Sequence, residues 1–147
     1  LIDSDLEDSN YFNSLGWSSK QIKFQFEKNI NYSLGVFYEK KLVAFLIGNL
    51  IYVENVAEYE ILLLYVKKNN RRKGVATKLI EFFSDIKNEL KLEKIVLEVA
   101  KNNIPAIKLY TNNNFKLSNV RKDYYSINNK KIDAYCYIKK YENKNTL

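Results

Sequence analysis

The sequence predicts one α/β domain in which a mixed sheet carries helices on both faces, and three features point there. Its 147 residues are 46% hydrophobic, enough to bury one core that stands without metal or disulfide staples. Hydrophobic spacing alternates along the chain between the period of strands and that of helices. The segments so defined run helix, three strands, helix, strand, helix, two strands, an order that calls for helices layered on a sheet.

In chain order, Ser18-Ser19-Lys20-Gln21 has the form of a capping box, and Ile22, Phe24 and Phe26 supply apolar surface for a helix ending near Lys28. Residues 32–38 and 41–52 are rich in β-branched and aromatic side chains and flank Glu39-Lys40, which reads as a hairpin. A third strand, 58–66, is continuously apolar after Glu60, as expected of a central strand buried on both faces. From Val75 the period changes. Val75, Leu79, Phe82, Phe83, Ile86 and Leu90 recur at helical spacing with charged residues between them, predicting an amphipathic helix packed on the sheet. A strand at 94–99 follows, then a short helix at 105–112 opened by Pro105, then strands at 115–120 and 132–141.

Composition excludes much chemistry. The chain has no His and one Cys, so a Ser-His-Asp triad, a Cys-His pair and a His- or Cys-built zinc site cannot be assembled from it, and no metal is expected. Cys136 shares a strand face with Ala134 and Ile138 and reads as a packed core thiol. With one Pro and four Gly, long disordered linkers are not expected. The longest apolar stretch, at 42–50, is well short of the roughly 20 residues of a membrane span, and no secretory signal opens the chain. A cytoplasmic protein is expected. The first residue is Leu, so a short natural N-terminal piece is expected to precede it. The net charge of +7 is spread among Asp, Glu and Asn and forms no single basic face, which argues against direct nucleic-acid binding. A polyanionic cofactor would use the same charge locally.

The most informative junction is residues 62–79, where a buried strand enters Lys67-Lys68-Asn69-Asn70-Arg71-Arg72-Lys73-Gly74-Val75-Ala76-Thr77 and then the long helix. The first turn of a helix presents unpaired N–H groups and the positive end of the macrodipole, so main chain alone can hold a pyrophosphate. Gly74 and Ala76 keep that backbone approachable, and Arg71, Arg72 and Lys73 add charge around it.

Arg71-x-x-Gly74-x-Ala76 resembles the Gln/Arg-x-x-Gly-x-Gly/Ala signature of the GCN5-related N-acetyltransferases and lacks the Gly-Lys-Ser/Thr ending of a nucleotide P-loop. Leu97-Glu98-Val99, the run Asn102 to Tyr110 and Phe115 resemble that family's second half, and the RimI-like ribosomal-protein alanine N-acetyltransferases in particular. The likeness extends to Gly16-Trp17-Ser18, to the segment from Ala57 to Leu62, and to Arg121-x-x-Tyr124-Tyr125 with Ile132-Asp133-Ala134, so it covers nearly the whole chain.

The resemblance implies a mostly antiparallel central sheet of about six to seven strands. It implies acetyl-coenzyme A as co-substrate, with the backbone of Leu64, Tyr65 and Val66 along the acetyl and pantetheine arm. Arg71, Arg72, Lys73, Gly74, Val75, Ala76 and Thr77 would surround the pyrophosphate, and Asn103 would contact the cofactor. Glu98 would be the general base, Tyr110 the general acid, and Trp17, Glu60, Tyr124 and Tyr125 would lie around the acceptor entrance. The implied enzyme is a monomer acting on a protein N-terminus, the N-terminal alanine of the eighteenth small-subunit ribosomal protein being the particular acceptor indicated.

The residues themselves agree with these roles. An α-amino group has a pKa near 8, so a base must take a proton before it attacks. Glu98 is an acid within the apolar run 95–100, and burial makes a carboxylate a better base. The bland alternative pairs Glu98 with a neighbouring cation such as Lys101, and for Tyr110 it is an amphipathic Tyr covering the core edge. Two positions depart from the pattern. Asn114 stands where Gly usually precedes Phe, and Asn tolerates the left-handed turn. Leu63 stands where RimI-like proteins often have Asn, which removes a polar contact from the acceptor site. The rival readings are an acetyltransferase for small amines, polyamines or lysine side chains, a non-catalytic acyl-coenzyme A-binding module, and a basic nucleic-acid-binding domain.

Overall fold

The predicted capping box forms. Ser18 Oγ accepts from the Gln21 N–H at 3.2 Å while Gln21 Oε1 accepts from the Ser18 N–H at 2.8 Å, and this starts α1, Ser19–Phe26. A computed structural model of the chain describes residues 12–13 and 16–142. β1, Leu34–Tyr38, and β2, Lys41–Val53, are joined by Glu39 and Lys40, both at positive φ (48° and 64°), as a two-residue hairpin turn requires. Next come β3, Val56–Val66, the helix α2, Val75–Leu90, and β4, Leu92–Ala100. The chain closes with α3, Ile104–Asn112, β5, Lys116–Ile127, and β6, Lys130–Lys140. β5 runs seven residues beyond the predicted end at Val120. Nearly all its side chains are exposed, so no apolar alternation marks its far half, and pairing with β6 is what defines it. Among the described residues no helix is long and apolar enough to cross a membrane.

The six strands lie in the order β1-β2-β3-β4-β6-β5. β3 and β4 are parallel, with α2 as their crossover, and the other neighbours are antiparallel. Two apolar clusters cover the two faces. Leu79, Ile80 and Phe83 of α2 pack with Tyr59, Ile95 and Leu97 on one. Ile22 of α1 packs with Phe12, Ile47, Leu63 and Tyr65 on the other.

A bulge lets β3 serve both clusters. Ile47 pairs with Leu63 and Gly48 with Ile61, so Leu62 is the extra residue and the side-chain alternation changes hands there. Tyr59 and Ile61 point into the α2 cluster, Leu63 and Tyr65 into the α1 cluster. One expectation is corrected by this. Leu63 is 5% exposed in the α1 cluster, so its side chain is core and not part of an acceptor site. Beyond the bulge β3 packs on both faces as its apolar run predicts, with Leu63 and Tyr65 buried in the α1 cluster and Leu64 and Val66 half-buried against the α2 cluster.

Close packing next to the bulge explains Gly48. A Cβ there would land on the Tyr59 hydroxyl and ring and on the Glu60 carbonyl. Tyr59 is itself held, donating to the Tyr32 carbonyl at 2.5 Å. Gly48→Ala is therefore expected to destabilise the fold by about 1–3 kcal/mol, which urea unfolding would measure; unaltered stability would contradict this packing.

Buried phenols give the fold an alkaline limit. Burial raises the pKa of Tyr59, Tyr137 and Tyr141, and burial with the nearby Glu98 carboxylate pushes Tyr125 up to about 12. The unfolded chain ionises at about 10 and so binds fewer protons than the folded chain above that pH. Stability is thus intact below pH about 10 and is lost as pH rises through the folded values. The urea midpoint is expected to be lower at pH about 10.5 than at pH about 8.

Candidate active site

The site begins where two strands part. β3 and β4 pair from Ala57 opposite Leu92 to Ile61 opposite Leu97, yet β3 continues to Val66 and β4 to Ala100. Beyond Ile61 and Leu97 the strands diverge and leave a gap in the sheet. Leu62 and Leu64 follow on β3 and are half-buried, Leu64 against the α2 cluster. An extended, largely uncharged chain could thread there against main-chain N–H and C=O groups.

At the far end of β3 the chain turns through a short 3-10 segment, Lys68–Asn70, and reaches Gly74, the N-cap of α2. Gly74 has φ 78°, a left-handed conformation that explains the glycine, and a Cβ built on it meets nothing within 4 Å. The space is therefore open toward an incoming group. Among the described residues no side chain caps α2, and its first turn contains no acid. The first intrahelical bond runs from the Lys78 N–H to the Gly74 carbonyl at 3.1 Å, so the N–H groups of Val75, Ala76 and Thr77 lack intrahelical acceptors. Arg71, Arg72 and Lys73 are exposed around them. This donor set suits a pyrophosphate. Arg71 has a structural attachment too, donating from Nε to the Val66 carbonyl at 2.8 Å with its guanidinium 5.8 Å from the Tyr65 ring centre. Asn103, read from the resemblance as a cofactor contact, caps α3, its Oδ1 accepting from the Ala106 N–H at 3.3 Å.

β4 places Glu98 by alternation. Ile95, Leu97 and Val99 are buried in the α2 cluster, so Glu98 emerges on the opposite face, just past the point of parting. Its side chain is 30% exposed, and Oε1 lies 3.2 Å from Arg121 Nη1 and 3.8 Å from Cys136 Sγ, which donates to it. The paired cation is Arg121 across the sheet, not the adjacent Lys101. Glu98, Arg121 and Cys136 line a groove of about 370 Å³ together with Glu58, Glu60 and Asn119. Burial, reinforced by the charges of Glu98 and Glu58, holds the Glu60 carboxyl above its ordinary pKa, with Lys28 opposing. Glu58 is paired with Lys94 at 3.1 Å.

Cys136 is a correction. It is half-buried in the groove wall and not a core thiol, because its register partners are the polar Glu98 and Asn119. Burial and the Glu98 charge raise its pKa, which keeps the thiol protonated at neutral pH.

Of the expected acceptor residues, Glu60 lines the groove and Tyr125 lies near enough to feel the Glu98 charge. Tyr124 stands edge-on to Tyr125 at 5.1 Å and carries the Arg121 guanidinium 5.4 Å from its ring centre. Trp17 packs on the α1 cluster, away from the groove lining. Tyr110 is buried with the α2 cluster, 5.4 Å from the Phe115 ring, on the opposite face of the sheet from Glu98. Asn114 holds the preceding turn at φ 68°, as expected of an Asn standing in for Gly.

Residues 4–115 match the acetyltransferase (GNAT) family. The chain belongs to that family. This GNAT chain is 47% identical over 62 residues to an N-alpha-acetyltransferase of Saccharolobus solfataricus, a match spanning 42% of this chain and 37% of that protein. Its fold resembles the ribosomal-protein-S18-alanine N-acetyltransferase of Escherichia coli, with TM-score 0.74 and 22% identity over 89% of this chain and 83% of that one. It also resembles Arabidopsis thaliana NAA60 in complex with a bisubstrate analogue, with TM-score 0.74 and 20% identity over 93% and 92% of the two chains. At these identities the two structural likenesses concern the GNAT fold.

Proposed function

We propose that this domain transfers the acetyl group of acetyl-coenzyme A to the α-amino group of a protein N-terminus. The observation that most supports it is the arrangement around the strand gap, with an uncapped helix start at one end and a carboxylate at the mouth on the other face. Main-chain N–H groups of Val75, Ala76 and Thr77, with Arg71, Arg72 and Lys73, would hold the pyrophosphate. The main chain of β3 from Leu64 to Val66, beyond its pairing with β4, would orient the arm. Acetyl-coenzyme A supplies an already activated thioester, so the absence of His and of an activated Cys costs nothing. Glu98 accepts the proton of the attacking amine from the groove side. Tyr110, from the other face, donates a proton toward the departing sulfur. Acid–base help of this kind is worth roughly 10²–10⁴ in rate, and alignment of the reactants supplies much of the rest.

On the acceptor side, Glu60 offers a second carboxylate for an α-ammonium, and Trp17, Tyr124 and Tyr125 supply aromatic surface. The partial match to an N-alpha-acetyltransferase favours a protein N-terminus, and the RimI-like residues point to the N-terminal alanine of the eighteenth small-subunit ribosomal protein. The three carboxylates of the groove favour one rival, a polyamine. Mass spectrometry of a peptide panel differing in the first residue, alongside polyamines, separates them. Acetylation of Ala-started peptides is expected, and acetylation of polyamines alone would overturn the acceptor assignment. A domain that only senses the cofactor would be stabilised by acetyl-coenzyme A yet release no thiol with any amine.

A further inference from the structure

One cation in the groove has no part in the mechanism above. Arg121 lies on β5, two strands away from Glu98 in the sheet order, and its side chain, 52% exposed, reaches back across β6 to Glu98 Oε1. The reach is prepared by the backbone. β5 bulges between Arg121 and Tyr125, with Asp123 at φ 55° and its N–H donating to Asp133 Oδ1 at 2.9 Å. The guanidinium meanwhile rests over the Tyr124 ring, so it has a second seat that does not depend on Glu98.

Resting on the general-base reading of Glu98, we infer that Arg121 is a positioning residue that holds, before the acceptor arrives, the place taken by the acceptor's amine. The contact is built to be released. It is made through one nitrogen at 3.2 Å, longer than the 2.7–2.9 Å typical of a strong charge-assisted bond, and it faces solvent. An arriving ammonium offers Glu98 a replacement charge, and Arg121 stays on Tyr124. No covalent bond changes in this exchange. Until it happens, Arg121 is the cation that faces Glu98 among neighbours that oppose its charge. Those neighbours are Glu60 and Glu58 on β3, the latter tied to Lys94, and Tyr125 and Cys136 on β5 and β6. Lys28 is the other cation acting on this group, through Glu60.

The test is the pH dependence of thiol release by the full chain with acetyl-coenzyme A and an Ala-started peptide. Removing the cation leaves carboxylates that hold a proton to higher pH. For Arg121→Gln the acidic limb of kcat/KM, which reports the free enzyme, is expected to move up by about half a pH unit. The acidic limb of kcat, which reports the complex where Arg121 has already left, is expected to stay in place. Arg121→Lys restores the kcat/KM limb. If both limbs move together, Arg121 remains on Glu98 in the complex and the exchange is refuted. If neither moves while KM for the peptide rises, Arg121 is an ordinary acceptor contact and the inference fails alone. A wild-type chain releasing no thiol with any amine would instead bring down the acetyltransferase reading beneath it.

Discussion

Glu98→Gln is expected to lower turnover by about 10²–10⁴, the usual worth of a positioned base, with cofactor affinity little changed. The substitution keeps the shape of the side chain and removes only its ability to accept a proton. Unfolding would not account for the loss, because the Glu98–Arg121 pair is exposed, and such pairs contribute about 0–1 kcal/mol. The pyrophosphate end, at α2 beyond the gap, is untouched. Thiol release gives turnover and calorimetry with coenzyme A gives affinity. A fall in kcat with coenzyme A binding intact marks an interaction made at the chemical step. Unchanged turnover would take the role from Glu98, and Glu60, whose carboxyl burial already makes harder to ionise, would be the next residue to substitute.

Gly74→Asp is expected to weaken coenzyme A binding by about two to three orders of magnitude, since a like charge set against a bound anion costs several kcal/mol. The new side chain would enter space where nothing lies within 4 Å, so it displaces no protein atom. Asp visits the left-handed region more readily than most residues, and the fold should lose only about 1–2 kcal/mol. Thermal unfolding without ligand checks the second figure, and the stabilisation conferred by coenzyme A checks the first. Full stabilisation of the variant by coenzyme A would show that the phosphates sit somewhere other than the start of α2.

The elements were legible wherever their residues pack. α2 begins and ends where the periodicity predicts because its apolar stripe meets the sheet, although Phe82 of that stripe is exposed and Ile80 is buried in its stead, and α1 is announced by a capping box that forms bond for bond. Glu98 and Gly74 were legible because local patterns, an acid in an apolar strand and a glycine at a basic helix start, mark them. What escaped depends on register. Arg121 and Cys136 meet Glu98 only because β6 aligns Cys136 opposite Glu98 on one side and opposite Asn119 on the other, a relation no local spacing encodes. The core reading of Cys136 fails because alternation reports that a strand has two faces and not which one is open. The far half of β5 carries no alternation to read.

The surplus residue at Leu62 works like a frameshift in a repeating text. Upstream of it odd-numbered side chains of β3 enter the α2 cluster, and downstream they enter the other. Deleting Leu62 would leave those sides as they are, with Ile61 and Leu63 in plain alternation, and would take out the extra residue that bends the strand. The surplus residue thus sets the local bend of β3 just where that strand stops pairing with β4.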